Sequence, residues 1–350
     1  MRKLRFPLHG MIELTRRCNL RCPYCYVGFA HNISPQEELG REQIFSLLDQ
    51  IISEGCLFVT FTGGEPLLRK DFRDIYSRAV RKGLLVSIFT NGTLIDRDMV
   101  DFFNEYPPFY IDITLPGVTA ATYERVTGVK GSFSKCMDAV RLLKENEIPF
   151  RLKSVISRLN RHEIRDIKKF AEDMVGLFRF DAMISPRLDG SRDALRYRLT
   201  PEEIVALDYE DEKKWEDWLD FSCRHWGSID SDRLYKCGAG MYSFHVSSGG
   251  KLGLCVLDTN YRYNLTEGSF KEGWHRFIPR VRGKKARELT RCDSCELHPV
   301  CGTCPAWSTL ENGGPEKPVE FLCRVARVRG ELLSRERRSE NEEKEKVSKT

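Results

Sequence analysis

Apolar residues in the first half of the chain recur in two alternating rhythms. Short runs at residues 11–15, 57–61, 84–90, 109–115, 150–157 and 177–184 read as strands. Between them the apolar positions take a helical spacing. Ile44, Leu47, Leu48, Ile51 and Ile52 form one face that Gly55 stops, and Phe72, Ile75, Tyr76, Ala79 and Val80 form one that Gly83 stops. Asn160 with Glu163 three residues on reads as a capping box for a helix carrying Ile164, Ile167 and Met174. Six such β–α alternations imply a parallel sheet with right-handed crossovers. The pattern alone does not separate a partial barrel from a doubly wound sheet.

The rhythm changes at Thr200-Pro201-Glu202-Glu203, which starts a capped, charge-rich helix carrying Trp215 and Trp218. Residues 201–236 therefore read as a helical bridge to a second domain. Beyond Gly330 almost no apolar residue occurs, and residues 331–350 are expected to be a frayed helix or disordered tail.

Composition narrows the class. The 350 residues are 41% hydrophobic, enough for a core, and suit a barrel plus an appended domain. A net charge of +5 permits an acidic partner protein and is no nucleic-acid footprint. Gln occurs only at Gln36, Gln43 and Gln50, beside many Lys, Arg and Glu, a balance seen in heat-adapted proteins. The stretch from Phe6 to Leu14 is broken by His9 and Glu13 and is no signal peptide, and no apolar run approaches a membrane span. With 13 cysteines in what reads as a reducing cytoplasm, clustered thiols point to metal ligands and not disulfides.

Chemistry-bearing residues fall at the ends of the strand-like runs. Cys18, Cys22 and Cys25 follow the first. Their spacing also fits one helix face of buried thiols, but Pro23 inside the stretch argues for a loop. A loop can wrap soft thiolates round iron–sulfur or zinc. The second run ends in Thr62-Gly63-Gly64-Glu65-Pro66, where two glycines admit a close ligand and a carboxylate can accept from an ammonium. The third ends in Thr90-Asn91-Gly92-Thr93; the fourth carries Thr114, with Arg125 eleven residues on. Cys56 and Cys136 sit in apolar context and read as core, and Cys223 stands alone. A second group follows: Cys237, Cys255, Cys292, Cys295, Cys301, Cys304 and Cys323. Its two CxxC pairs alone would also suit a zinc ribbon using four of the seven.

The Cys18–Cys22–Cys25 loop resembles that of the radical S-adenosylmethionine (SAM) enzymes. The resemblance implies a 4Fe-4S cluster on those three thiols, with one iron left for the amino and carboxylate groups of SAM. It implies SAM contacts from Tyr24 (adenine), from Gly63, Gly64 and Glu65 (amino group), and from Asn91, Thr114 and Arg125. The family strand usually carries Ser and Asp where this one has Thr114 and Pro116. The fold it implies is α/β, a partial six-unit (β/α) TIM-like barrel over residues 11–200 after a lead-in of 1–10, with the site at the C-terminal strand ends. The later cysteines resemble a SPASM domain over residues 237–330, with two auxiliary 4Fe-4S clusters. Carried over, Cys292, Cys295, Cys301 and Cys323 would fill one. Cys237, Cys255 and Cys304 would hold the other, leaving an open iron or taking Cys223.

The activity implied is that of a peptide maturase. A 5′-deoxyadenosyl radical would abstract hydrogen from a ribosomally made peptide, leading to a crosslink, a thioether or a related change. Modification of a small molecule such as a tetrapyrrole and sulfatase-maturase-like oxidation are alternatives; for the latter, Val256 follows Cys255 where the family has a basic Asp, and Asp258 is two residues further. A cysteine-rich metal scaffold is the non-enzymatic alternative. Expected partners are ferredoxin or flavodoxin as reductant, and a separate protein or the barrel itself to read the peptide leader.

Overall fold

The computed structural model describes residues 5–28, 37–176, 178–225, 233–286, 292 and 294–348. The start of the lead-in, Leu177, and parts of the bridge, the cysteine-rich segment and the tail lie outside that range. By its internal contacts the chain divides into two compact units, Met1–Arg198 with Gly238–Arg282, and Leu199–Cys237 with Gly283–Thr350.

The first unit is organised on one sheet. Strands β1 (His9–Thr15), β2 (Phe58–Gly63), β3 (Leu85–Thr90), β4 (Tyr110–Thr114), β5 (Phe150–Val155) and β6 (Phe178–Asp181) lie side by side in sequence order, all parallel. Helices α1 (Arg41–Ser53), α2 (Phe72–Arg81) and α3 (Arg97–Glu105), the pair α4 (Ala120–Thr127) and α5 (Ser132–Glu145), and α6 (Ile164–Val175) make the crossovers. This is the parallel α/β sheet that the alternation implies, in the partial-barrel form that the resemblance implies. The expected helix faces are the buried ones: Ile44, Leu47, Leu48 and Ile51 on α1, and Phe72, Ile75, Tyr76 and Ala79 on α2. Gly55 and Gly83 take φ of +89° and +87° with open space around them, so the left-handed turn, and not crowding, calls for glycine. The core lies on the helix side of the sheet, where Phe61, Ile88, Ile111, Ile113 and Leu152 are fully or almost fully buried.

Three further strands escaped the sequence reading. β7 (Ser243–Val246) pairs parallel to β1 on its other edge, and β8 (Lys251–Gly253) and β9 (Tyr263–Asn264) continue the sheet antiparallel. They are only two to four residues long, too short to show a period. Next come α9 (Phe270–Glu272), a π turn over Gly273–Phe277 and α10 (Ile278–Arg282), burying Phe270, Trp274 and Ile278. The boundary read at residue 237 is thus displaced: Gly238–Arg282 packs with the barrel strands, because β7 completes the second edge of β1.

The second unit is helical: α7 (Pro201–Glu210), α8 (Glu212–His225), α11 (Pro305–Asn312) and α12 (Glu320–Ser348). Thr200 caps α7 as expected, its hydroxyl accepting from the Glu203 amide at 3.2 Å and its own amide donating to the Glu203 carboxylate at 2.8 Å. The bridge helices belong to this unit. Arg329 of α12 donates to the buried Asp208 of α7 at 2.7 Å, Lys214 of α8 pairs with the same carboxylate at 2.7 Å, and the Arg329 guanidinium lies 4.0 Å over the Trp218 ring. Of the frayed helix or disordered tail expected beyond Gly330, the described residues are helical, α12 running to Ser348; the tail mixes Glu with Lys and Arg, all good helix formers able to pair at i,i+4.

The Asn160 capping box is not made. Asn160 is fully buried; its oxygen accepts from the Ser157 amide (2.8 Å) and hydroxyl (3.0 Å), and its amide donates to the carbonyls of Pro116 (2.8 Å) and Val155 (3.0 Å). Glu163 instead accepts from the Val118 and Thr119 amides at 2.9 and 3.3 Å. The pair ties the ends of β4 and β5 together, a tertiary use of a local signature. Asn160→Ala would leave buried carbonyls and an amide unmatched, and should lower unfolding free energy by about 2–4 kcal/mol in urea titration.

Candidate active site at the strand ends

The loop holding Cys18, Cys22 and Cys25 leaves the C-terminal end of β1. Its departure is set by the close approach of the next strand. Gly63 has φ +139°, and a Cβ there would stand 1.9 Å from the Thr15 carbonyl; a Cβ on Gly64 would stand 2.3 Å from that of Arg17. The amides of Gly64 and Glu65 donate to the Thr15 and Arg17 carbonyls at 2.8 Å each. Read in the sequence as room for a ligand, the two glycines make room for the loop's own backbone. Arg69, just beyond the same motif, donates to the Leu14 carbonyl at 2.8 Å and the Leu39 carbonyl at 3.0 Å, and is itself held by Asp71.

Glu65 is buried and accepts from the Leu67 amide (3.1 Å), the Thr90 hydroxyl (2.8 Å) and the Asn91 amide (2.8 Å). Burial outweighs these donors and pushes its carboxyl up to about 7. A carboxylate offers about four acceptor sites, so one remains for a further donor. Asn91 passes the constraint on: its side-chain amide donates to Asn19 at 2.9 Å and reaches the Cys18 sulfur at 3.9 Å, and its oxygen accepts from the Thr93 amide at 2.9 Å. Asn19 closes the circuit by donating to the Thr93 hydroxyl at 2.8 Å. The sequence signalled Asn91 but not Asn19.

The three thiols face N–H donors. Cys18 sulfur accepts from the Leu20 amide at 3.4 Å, and Cys25 sulfur faces the amides of Val27 and Gly28. Desolvation pushes the Cys18 thiol up to about 11 and raises Cys22 and Cys25; Cys25 adds to the rise at Cys18, and Cys25 and Cys18 to that at Cys22, while Arg187 opposes it at Cys25. Among the described residues no three His, Cys, Asp or Glu side chains converge tightly enough to hold a single ion. A cubane takes its ligands on separate iron corners, and three soft thiolates with amide donors at Cys18 and Cys25 fit such a cluster.

The other candidates are spread around the same end. Tyr24 is buried against Val126, Ile184 and Ala194. Thr114 ends β4, and its hydroxyl makes no hydrogen bond among the described residues. Arg125 is exposed on α4 and donates to the Leu159 carbonyl. Behind the loop lies a buried relay that the sequence did not announce. Arg262 can only donate, so its 2.9 Å contact makes His245 Nδ1 the acceptor. The His245 proton then sits on Nε2, 3.3 Å from the Glu13 carboxylate. Arg262 also donates to the Val256 carbonyl at 3.0 Å, beside Cys255. Asp258, on the same loop, is fully buried.

In the second unit Cys292, Cys295, Cys301 and Cys323 line one cavity of about 90 Å³. The Cys301 thiol is pushed up to about 12, first by burial and then by Cys323, Cys292 and Cys295 around it. Cys237 and Cys304 line a second cavity of about 80 Å³ that Cys292 also borders. Cys255 belongs to the first unit, and Cys223 is exposed on α8. Cys56 and Cys136 are buried core residues, and no described cysteine is in a disulfide.

Residues 12–173 match the Radical SAM superfamily. The AdoMet-dependent heme synthase of Nitratidesulfovibrio vulgaris is 26% identical over 333 residues, 89% of this chain and 90% of that protein. The antilisterial bacteriocin subtilosin biosynthesis protein AlbA of Bacillus subtilis is 25% identical over 314 residues, 85% and 67% respectively. Crystal structures of Streptococcus suis SuiB, bound to S-adenosylmethionine and to precursor peptide SuiA, share the fold with TM-scores of 0.67. Their identities are 17% and 18%, covering 91% of this chain and 75% and 76% of theirs.

The Glu65 carboxyl yields a pH test on the protein before cluster loading. Its folded value of about 7 lies above the ordinary 4.5, so the folded chain keeps a proton that the unfolded chain releases. The associated stability is present below pH 4.5 and is lost as pH rises through 7. Comparing urea midpoints across that window, wild type should lose stability with a slope that Glu65→Gln lacks.

Proposed function

We propose, for a chain that belongs to the radical SAM superfamily through residues 12–173, that it modifies a ribosomally made peptide. The observation that carries this reading is the sorting of cysteines into two groups. Three stand on one loop at the strand ends, where Asn91 reaches Cys18, and four line one cavity of the second unit. Cys18, Cys22 and Cys25 would hold the SAM-binding cluster, and Cys292, Cys295, Cys301 and Cys323 an auxiliary one. When bound, cluster and SAM together supply a 5′-deoxyadenosyl radical able to abstract hydrogen from carbon.

The chain's own residues do the positioning. The Leu20, Val27 and Gly28 amides and the Asn91 side chain stabilise thiolate at Cys18 and Cys25. Glu65 holds Asn91 in place and keeps an acceptor position for the SAM ammonium. Thr114, with its hydroxyl uncommitted, would take a polar group of the same ligand. Ferredoxin or flavodoxin would deliver the electron. The peptide substrate is supported by the likeness to AlbA and to SuiB, which has been crystallised with its precursor peptide. A second reading, modification of a tetrapyrrole, is favoured by similarity to heme synthase over 90% of that protein's length.

Anaerobically reconstituted protein should be brown, with about twelve irons if three 4Fe-4S clusters form, and should release 5′-deoxyadenosine from SAM under dithionite. Replacing Cys18, Cys22 and Cys25 by Ala should abolish that product and leave auxiliary iron; zinc without iron would refute the proposal. Mass spectrometry then separates the substrates. A candidate precursor peptide losing two hydrogens supports a peptide crosslink, and turnover of a tetrapyrrole with no peptide change supports the second reading.

A further inference from the structure

One group of chemically potent side chains is used by none of the steps above. It lies on the face of the sheet opposite the helix-packed one, toward β5 and β6. Cross-strand partners share a face, and register sets two rows there: Phe89, Asp112 and Arg151, then Thr114, Lys153 and Arg179. Ile113, between Asp112 and Thr114, points the other way, toward Cys136 on α5. The second row is level with Thr114, at the strand ends that carry the candidate active site.

Toward β5 and β6 this face carries three cations, Arg151, Lys153 and Arg179, against two acids, Asp112 and Asp181, and Asp181 accepts from the Met183 amide at 2.8 Å. Arg151 takes both oxygens of Asp112, at 3.1 and 2.7 Å, and stacks 4.4 Å from the Tyr110 ring. Lys153 is half-buried, with its ammonium 3.0 Å from the Phe89 ring centroid and no carboxylate in ion-pair range among the described residues. Arg179 beside it is exposed and also lacks a carboxylate partner among them. Burial, and Arg151 nearby, pull the Lys153 ammonium down to about 8, only partly offset by Asp112. An ammonium held over an aromatic ring, short of a counterion and level with Asn91 two strands away across β4, is a site prepared for an anion that these neighbours do not provide.

We propose that Lys153, with Arg179 beside it, binds a carboxylate of the substrate and so selects for carboxylate-bearing substrates. The inference rests on the reading of this end of the sheet as the reaction site, and it names a feature of the substrate that the reading leaves open. An acidic side chain of a peptide and a propionate of a tetrapyrrole share this chemistry.

The test uses reconstituted holoenzyme as wild type, Lys153→Met and Lys153→Arg, with Lys153→Gln as a second neutral variant should Lys153→Met melt early. A randomised peptide library displayed on its own mRNA is selected against each. Wild type and Lys153→Arg should enrich Asp or Glu at a fixed position about tenfold over the neutral variant, the scale of a charge-assisted contact. In parallel, a porphyrin bearing free propionates is titrated against its methyl ester. A wild-type preference of about tenfold for the acid, lost in the neutral variant, supports the same site with a tetrapyrrole as its source. No carboxylate preference in either arm, or one that survives in the neutral variant, overturns the proposal. So does a defect confined to S-adenosylmethionine affinity, which would give Lys153 to the cofactor's carboxylate. Failure of wild type to form 5′-deoxyadenosine counts against the radical reading alone, because neither binding arm needs turnover.

Discussion

Gly63 and Gly64 lie so near the backbone of Thr15 and Arg17 that no side chain fits between. Much of the strand-end architecture follows from that contact. It directs the cysteine loop off β1, and the amides of Gly64 and Glu65 fasten it there. It also turns Glu65 inward to the end of β3, where burial makes its carboxylate a demanding acceptor. Asn91 answers that demand with its backbone and touches Cys18 with its side chain. A short chain of contacts thus runs from a steric restriction to a sulfur atom.

The two faces of the sheet divide the labour. One buries aliphatic side chains against the crossover helices and provides stability. The other carries Glu13, Thr60, Asp112, Lys153 and His245, polar groups that a stability-driven core would avoid. They persist because most are matched across strands: His9 with Thr60 at 2.8 Å, Glu13 with His245, and Asp112 with Arg151. Parallel strands make such an arrangement possible, since alternate residues of each strand reach a common surface.

Much of this was legible in residue order. The β–α alternation fixed the number and direction of the six barrel strands, because buried parallel strands and amphipathic helices leave distinct periodic marks. The resemblance to a SPASM domain grouped Cys292, Cys295, Cys301 and Cys323, and the structure sets them round one cavity. What stayed hidden was settled by tertiary contact. Asn160 and Glu163 have the letters of a helix cap, yet strand ends compete for their hydrogen bonds and win. β7 to β9 are too brief to announce themselves. The Glu13–His245–Arg262 relay joins residues far apart in sequence with no shared motif. Glycines that admit a ligand and glycines that admit the chain's own backbone look alike in a sequence.

The pairing of β1 with β7 bears on the order of events at the ribosome. β1 precedes the whole run of crossovers, and its second neighbour, Ser243–Val246, emerges only after them. Until then the strand rooting the cysteine loop presents an open edge and a loosely anchored thiol cluster. Closing that edge spans a long stretch of chain, the slow kind of contact in folding. Inorganic sulfide and iron delivered to the nascent polypeptide would therefore meet an unfinished cradle, whereas delivery after release meets the completed one.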